Sequence, residues 1–403
     1  MNKFNDINSA IDYVINRRNM NLGLENFKKI MSSLGNPQDD FKVIHVAGTN
    51  GKGSTISIIR DVLMFNGFKI GTFTSPHLIT HQDRIRINNI NISDEKFIYY
   101  LNKYYDLIEE NNLSMFEIDT LIMSVYFKES NIDYGIIETG IGGRLDCTNI
   151  FNNPLVSVIT TIGFDHIDRL GDTLDKIAYE KAGIIKENSN VVVGYLNDLA
   201  MKVIYDKAVS CNCKLYLVRP YKIVDTYEFS YEKVVYSIDN NAKFLIDNAC
   251  VALEVIDALD LSLELDKTKK AIKQSNWPGR FERLTENIII DGAHNEEGVI
   301  ALIESMKNYK RPYVVVFSAL KDKPVLRMID LLKEASDMFI LCEFDFYRAI
   351  KIDEYDDGNI IRIKDYKKAI SEGLKNVQDG TLFVCGSLYF ISEVRKHILD
   401  VCK

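Results

Sequence analysis

The run Val43-Ile44-His45-Val46-Ala47-Gly48-Thr49-Asn50-Gly51-Lys52-Gly53-Ser54-Thr55 constrains this chain more than any other stretch. An apolar strand passes directly into a glycine-rich turn carrying one lysine, and a helix-compatible run comes after it. Glycines at 48, 51 and 53 let successive backbone N–H groups converge on phosphate oxygens. Lys52 reaches the terminal phosphates, and a following hydroxyl is placed for Mg²⁺. The strict phosphate-loop pattern is not kept, because position 46 is Val and Gly53 separates Lys52 from Ser54. A glycine-rich surface turn without a ligand is the plain alternative, and the flanking strand and helix argue against it.

The rest of the chain repeats the alternation. Segments Phe41–Ala47, Phe68–Thr74, Tyr134–Glu138, Leu155–Thr161 and Val191–Tyr195 are short and rich in Val and Ile, with longer helix-compatible stretches between them. Leu24–Ser33, the run after Lys52 and Asp172–Ile185 read as helices. This pattern predicts an α/β fold with a mainly parallel sheet and helices on both faces. After Trp277-Pro278-Gly279-Arg280-Phe281-Glu282 the alternation resumes, with strands near Ile288–Asp291, Tyr313–Ser318, Met338–Cys342, Ile360–Ile363 and Leu382–Cys385. We expect an N-terminal P-loop ATPase domain over residues 1–283 and a smaller C-terminal Rossmann-like α/β domain over 284–403, consistent with a 403-residue chain.

Composition removes several classes. No run approaches the ~18 apolar residues that a membrane span needs, and the start Met1-Asn2-Lys3-Phe4-Asn5-Asp6 has no apolar targeting core. With 57 acidic against 49 basic residues, the net charge of −8 argues against general nucleic-acid binding. The seven cysteines are scattered, and Cys211-Asn212-Cys213 is not a metal-knuckle spacing, so free thiols in a cytoplasmic protein are expected.

Three strand ends carry chemistry. Glu138 closes one strand just before Thr139-Gly140-Ile141-Gly142-Gly143-Arg144-Leu145-Asp146-Cys147, at the edge where ligands of α/β sheets collect. It suits Mg²⁺ beside phosphates; pairing with Arg144 for structure alone is the alternative. His166, after Gly163-Phe164-Asp165, brings a second potential ligand to the same edge. Ser75-Pro76-His77-Leu78 and Asp83-Arg84-Ile85-Arg86-Ile87 read as a loop closing over the site, with Ser75 offering oxygen and the arginines pairing with carboxylate or phosphate. Arg84 and Arg86 alternating with Ile fit a solvated strand face equally well.

The ordered set is more specific than any member. Leu22-Gly23-Leu24-Glu25, Gly48-Thr49-Asn50-Gly51-Lys52-Gly53-Ser54, Thr74-Ser75-Pro76-His77-Leu78, Phe116-Glu117 and Gly142-Gly143-Arg144-Leu145-Asp146 are followed by Asp165-His166, Glu180-Lys181-Ala182-Gly183-Ile184, Trp277-Pro278-Gly279-Arg280-Phe281-Glu282 and Asp291-Gly292-Ala293-His294-Asn295. Together they closely resemble the bacterial folylpolyglutamate/dihydrofolate synthase family of the Mur-ligase superfamily. The resemblance implies that Gly48 to Ser54 bind the ATP phosphates. It makes Ser75, Glu138 and His166 the ligands of Mg²⁺, two ions in all, and Asn248, Arg280, Asp291 and His294 ATP contacts. Phe116, Asp146 and Cys147 match the pteridine-binding region, and Arg84 is expected to contact substrate. Lys181 matches a lysine that is carbamylated in this family; by its residue type alone it reads as a solvated helical lysine. The expected catalytic set is Lys52, Lys181 and His166. Three positions depart from the family: Lys243-Phe244-Leu245-Ile246-Asp247 before Asn248, Cys147 where Ala is common, and Asp83 where Glu is usual.

The reaction so implied joins L-glutamate to dihydropteroate, to the γ-carboxylate of a folate, or to both, through an acyl phosphate, in a monomer whose partners are small molecules. A cell-wall Mur ligase is the first rival. It usually carries an additional UDP-binding domain, for which the roughly 40 residues before the phosphate loop leave no room. A P-loop switch ATPase is the second; its hydrolysis would not depend on pterin or glutamate.

Overall fold

The computed structural model describes residues 3–17, 23–240, 242–355 and 360–401. Leu22, the first residue of the earliest motif, lies outside them. The chain divides into two compact units.

The first unit is built on an eight-stranded sheet: β1 (Lys42–Ala47), β2 (Ile70–Phe73), β3 (Ile85–Ile87), β4 (Ile90–Asn91), β5 (Tyr134–Glu138), β6 (Val156–Ile159), β7 (Asn190–Val193) and β8 (Lys214–Leu217), in the order β4-β3-β2-β5-β1-β6-β7-β8. The strands from β2 to β8 in that order are parallel. Every residue of β5 and β6 is buried. Continuous apolar runs of this kind belong in a parallel sheet covered on both faces. The chain leaves β1 through helix Lys52–Phe65 to β2, returns to insert β5 beside β1, and then places β6 on the other side of β1. The reversal falls at β1, so the C-terminal ends of β5, β1 and β6 border the crevice where α/β sheets bind ligands.

One sequence reading fails at the sheet's edge. β3 pairs antiparallel with β2, and β4 with β3. Arg84 and Arg86 do not form a solvated strand face: their side chains are 5% and 13% exposed, each within 4 Å of a carboxylate.

Strands β9 (Lys222–Asp225), β10 (Glu228–Tyr231) and β11 (Val234–Ser237) form a small separate sheet. The second unit then holds β12 (Glu282–Arg283), β13 (Ile288–Asp291), β14 (Tyr313–Phe317), β15 (Met338–Glu343), β16 (Ile361–Asp365) and β17 (Thr381–Cys385), ordered β12-β13-β17-β14-β15-β16. All neighbours are parallel except β12 against β13. Its strands alternate between two cores. Val315, Phe317, Leu341 and Phe383 pack with Leu302, Met306, Met328 and Leu332. Val314, Val316, Ile340 and Val384 pack with Ile370, Phe390, Ile391 and Val394. The two-residue period of a strand thus puts helices on both faces.

This unit starts at Asn276 and takes in residues 222–230 and 237–247, whereas the sequence reading placed the division at 283/284. The reason is local. Glu282 pairs with Ile290 in the sheet and its carboxylate accepts from Arg395 at 3.0 Å, so the Trp277–Glu282 motif folds with the strands and helices C-terminal to it. Among the described residues no helix is long and apolar enough to cross a membrane.

Candidate active site

β1 ends at Ala47, and the chain turns through Gly48–Gly51 into the helix that begins at Lys52. Gly51 caps that helix at φ +85°, a left-handed conformation that favours glycine. A Cβ on Gly51 would lie 2.3 Å from Asn248 Oδ1, so Asn248 packs directly on the turn. A Cβ on Gly48 would lie 1.9 Å from Thr160 Oγ1. Thr160 and Thr161 strap the turn to the end of β6. Thr160 Oγ1 donates to Asn50 O at 2.6 Å, Asn50 N donates to Thr161 Oγ1 at 2.8 Å, and Thr49 N donates to Thr161 O at 2.8 Å. Thr49 Oγ1 also accepts from Gly163 N at 3.0 Å. Gly53 and Ser54 sit in the first helical turn, where unpaired amides and the helix dipole favour an anion. Sequence reasoning did not single out Thr160 and Thr161; hydroxyls at a strand end beside a phosphate turn were the available signal.

Two amines meet at one carbonyl. Lys52 Nζ donates to Gly48 O at 3.0 Å, and Lys181 Nζ donates to the same oxygen at 2.9 Å. Lys181 is 4% exposed, not solvated as its residue type suggested. The cause is nonlocal: the glycine loop presses on the end of helix Leu174–Ala182, with Arg144 N donating to Glu180 O at 2.7 Å, and a Cβ on Gly183 would meet Arg144 Cα at 2.3 Å. Burial, and then the neighbouring Lys52 charge, lower the Lys181 amine to about 7. Glu138, at the end of β5, lies 3.8 Å from Lys52 Nζ through Oε1 and accepts from Ser75 N at 2.9 Å through Oε2. Its alternative partner, Arg144, is taken by Glu180 at 2.8 Å. The structure therefore gathers Lys52, Lys181, Glu138 and Ser75 around the turn. His166 comes after β6 in a left-handed conformation, φ +50°, with its side chain 37% exposed and its Nε2 3.9 Å from Asp165 Oδ2. The Glu138 carboxylate and the Ser75 hydroxyl are hard oxygen donors of the kind Mg²⁺ takes beside phosphate oxygens and water, whereas the His166 imidazole is a softer donor; among the described residues no group of three or more His, Cys, Asp or Glu side chains is gathered to hold a metal ion.

The residues expected from the sequence to form the pteridine region lie on helix Met115–Glu129 and the loop after β5. Phe116 stacks on Phe73, with centroids 5.4 Å apart and planes at 26°, and its ring fills the space over Gly140. Thr120 Oγ1 lies 3.2 Å from Cys147 Sγ, and burial pushes that thiol well up. Asp146 organises the loop. Its Oδ2 accepts from Gly140 N and Ile141 N, both at 2.9 Å, and its Oδ1 accepts from Thr148 N at 3.0 Å and Thr148 Oγ1 at 2.6 Å. Burial raises its carboxyl despite those four donors. Arg84 is interior, with Nε 3.8 Å from Asp119 Oδ2 and donating to His77 Nδ1 at 3.3 Å.

In the second unit Asp291 ends β13 and folds two motifs together. Its Oδ2 accepts from Phe281 N at 2.7 Å and its Oδ1 from Ala293 N at 2.8 Å. Burial raises this carboxyl, and the Arg280 charge opposes the rise. Arg280 donates to Gly292 O at 3.2 Å, and His294 Nδ1 lies 2.8 Å from the same oxygen.

Residues 46–256 match the Mur ligase middle domain and residues 279–388 the Mur ligase glutamate ligase domain. A dihydrofolate synthase/folylpolyglutamate synthase of Bacillus subtilis is 35% identical over 408 residues, 93% of this chain and 95% of the relative. The chain belongs to this synthase family of Mur ligases. Solved members share the fold across nearly the whole chain. The structure of E. coli FolC in complex with DHPP and ADP superposes with a TM-score of 0.89 at 27% identity, over 99% of both chains. A bifunctional folylpolyglutamate synthase/dihydrofolate synthase with Mn, AMPPNP and L-glutamate bound gives 0.87 at 25% identity, over 98% of each.

Proposed function

We propose that this protein is an ATP-dependent ligase that adds L-glutamate both to dihydropteroate and to the γ-carboxylate of reduced folates. The observation that carries the reading is the buried cluster of Lys52, Lys181 and Glu138 around a phosphate turn, in a chain whose 35% identical relative bears both activities in its name.

Condensing an amine with a free carboxylate is uphill in water, so one carboxylate oxygen must become a leaving group. That oxygen attacks the γ-phosphorus of ATP in line; the bond to the β,γ-bridging oxygen breaks and ADP leaves. The glutamate amine then attacks the acyl carbon, loses a proton and expels phosphate. Amides of Gly48 to Ser54 hold the phosphates, and Lys52 neutralises charge spreading over the transferring oxygens. No side-chain nucleophile is needed, and positioning supplies most of the acceleration.

Ser75, Glu138 and His166 are the residues we assign to Mg²⁺, two ions in all, which when bound neutralise and orient the phosphates. Lys181, with its amine lowered to about 7, carries an unprotonated fraction near neutral pH that can add CO₂. The carbamate exchanges a buried cation for an anion beside Lys52. Asn248, Arg280, Asp291 and His294 are assigned to ATP. Phe116 and Cys147 are assigned to the pterin, and Asp146 shapes their loop. Arg84 supports the acceptor side from the interior. The functional division between nucleotide-binding and ligase domains is assigned to residues 1–283 and 284–403, with residues 276–283 folding against the second unit. The protein acts as a cytoplasmic monomer, in line with its free thiols.

The test is ADP release measured with each substrate omitted in turn. Release that requires both acceptor and glutamate supports the ligase. Hydrolysis indifferent to both contradicts it.

A further inference from the structure

Asp119 is fully buried on helix Met115–Glu129, yet it belongs to none of the groups that handle nucleotide or glutamate. Its Oδ1 lies 2.7 Å from His81 Nε2. Its Oδ2 has no hydrogen bond and faces Arg84 Nε at 3.8 Å. His81 and Arg84 are themselves buried, and both end the segment that starts at Ser75.

That segment is held along its length. At its start, Ser75 N donates to Glu138 Oε2 at 2.9 Å. In its middle, the Asp83 carboxylate collects three successive amides: Ile79 N at 2.7 Å, Leu78 N at 3.1 Å and Thr80 N at 3.3 Å, all to Oδ2. At its end, Thr74 N donates to Arg84 O at 2.9 Å, closing the segment on itself, and Asp119 grips Arg84 and His81. The Asp83 contacts are internal, whereas Glu138 at the start, Asp119 at the end and Asp94, which accepts from Gln82 Nε2 at 2.7 Å, tie the segment to other elements. A buried ionic group contributes little net stability compared with an apolar replacement, so its presence is better explained by geometry than by energy. Asp119 is also three residues from Phe116, on the same side of the helix. One helix face therefore carries both the aromatic residue of the acceptor region and the anchor of the Ser75 segment.

We propose that Asp119 is a positioning residue that acts through Arg84 and His81 to hold Ser75 in register with Glu138, linking the acceptor side of the site to its metal and nucleotide side. The proposal rests on the assignment of Ser75 and Glu138 to the metal, and its test does not use turnover. Mn²⁺ binding to the full chain saturated with AMPPNP is followed by loss of the free-ion EPR signal, in wild type and in Asp119→Asn, Arg84→Met and the double variant. Each single substitution is expected to weaken Mn²⁺ binding by about tenfold or more, the usual effect of losing support behind a metal ligand. AMPPNP binding without metal should change less than about twofold, because Lys52 and the phosphate turn are untouched. The double variant should be no worse than Asp119→Asn alone, since the effect of Arg84 runs through Asp119.

Unchanged Mn²⁺ affinity in the single variants would overturn the proposal, as would additive losses in the double variant. Failure of wild type to bind Mn²⁺ with AMPPNP would overturn it too. If Asp119→Asn leaves Arg84 unpaired and does not fold, the double variant removes both charges and carries the comparison with wild type. Glutamate incorporation plays no part, so loss of the ligase reading and loss of this one are separable.

Discussion

Replacing Lys181 by Met should abolish the pH dependence that this one amine imposes on stability. In the folded chain the amine titrates near 7, against an ordinary value of 10.5. Between those limits the unfolded chain binds a proton that the native state does not, so unfolding free energy rises with pH. The slope approaches ~1.4 kcal/mol per pH unit, and the gain between about pH 7 and about pH 9 comes to about 2 kcal/mol. Below about 7 both states are protonated and the native protein carries the whole burial penalty; above about 10.5 the penalty is gone. The substitution keeps the volume and removes the charge, and Gly48 O still accepts from Lys52 at 3.0 Å. Urea unfolding of wild type and Lys181→Met in CO₂-free buffers isolates the effect, since other titrations cancel in the difference. The variant should be the more stable protein near pH 6, and its advantage should shrink by about 2 kcal/mol between about pH 7 and about pH 9. A difference that stays constant across that range would refute the assignment of a buried, depressed amine.

Lys52→Ala should remain folded yet lose turnover by about 10²-fold or more, the scale of deleting one group that stabilises transferring charge; near-normal turnover in folded protein would contradict its role. Gly51→Ala combines a left-handed φ of +85° with a Cβ placed 2.3 Å from Asn248 Oδ1. Its cost should be about 2–4 kcal/mol in unfolding experiments, and adding Asn248→Ala should recover the packing part but not the ~1 kcal/mol of backbone strain. Cys147→Ala removes a half-buried thiol that lies 3.2 Å from Thr120 Oγ1. Stability should change by no more than about 1–2 kcal/mol while KM for the pterin acceptor shifts and KM for ATP does not; equal shifts in both would remove Cys147 from the acceptor site.

The elements most legible in the sequence were those fixed by local pattern. Tyr134–Glu138, Ile288–Asp291 and Leu24–Ser33 appear at the ends expected from the chain, because apolar runs of strand or helix length stop at Gly, Asn, Asp or Pro. The two-residue β4 was missed, and the three-residue β3 was offered only as a solvated alternative to a loop, since Arg-Ile alternation says nothing about which face is covered. β8 to β11 were missed for a related reason: most of their residues are exposed or half-buried, so they lack the apolar run. The phosphate turn was legible because glycine spacing and backbone chemistry coincide. The burial of Lys181 was not, because it depends on a glycine loop some forty residues away pressing on the helix end. The pairing of Arg144 with Glu180, rather than with Glu138, and the grip of Asp119 on His81 likewise arise from tertiary packing, which no local pattern encodes.

The most direct test of the account is transfer of labelled L-glutamate by the purified protein, with ATP and Mg²⁺, to dihydropteroate and to tetrahydrofolate in parallel, with products resolved by mass. The account predicts one glutamate added to dihydropteroate and a γ-linked extension of tetrahydrofolate, each with ADP and phosphate formed in equal amounts. Transfer to one acceptor alone would contradict the dual activity, and transfer to neither by folded, ATP-binding protein would contradict the folate ligase itself.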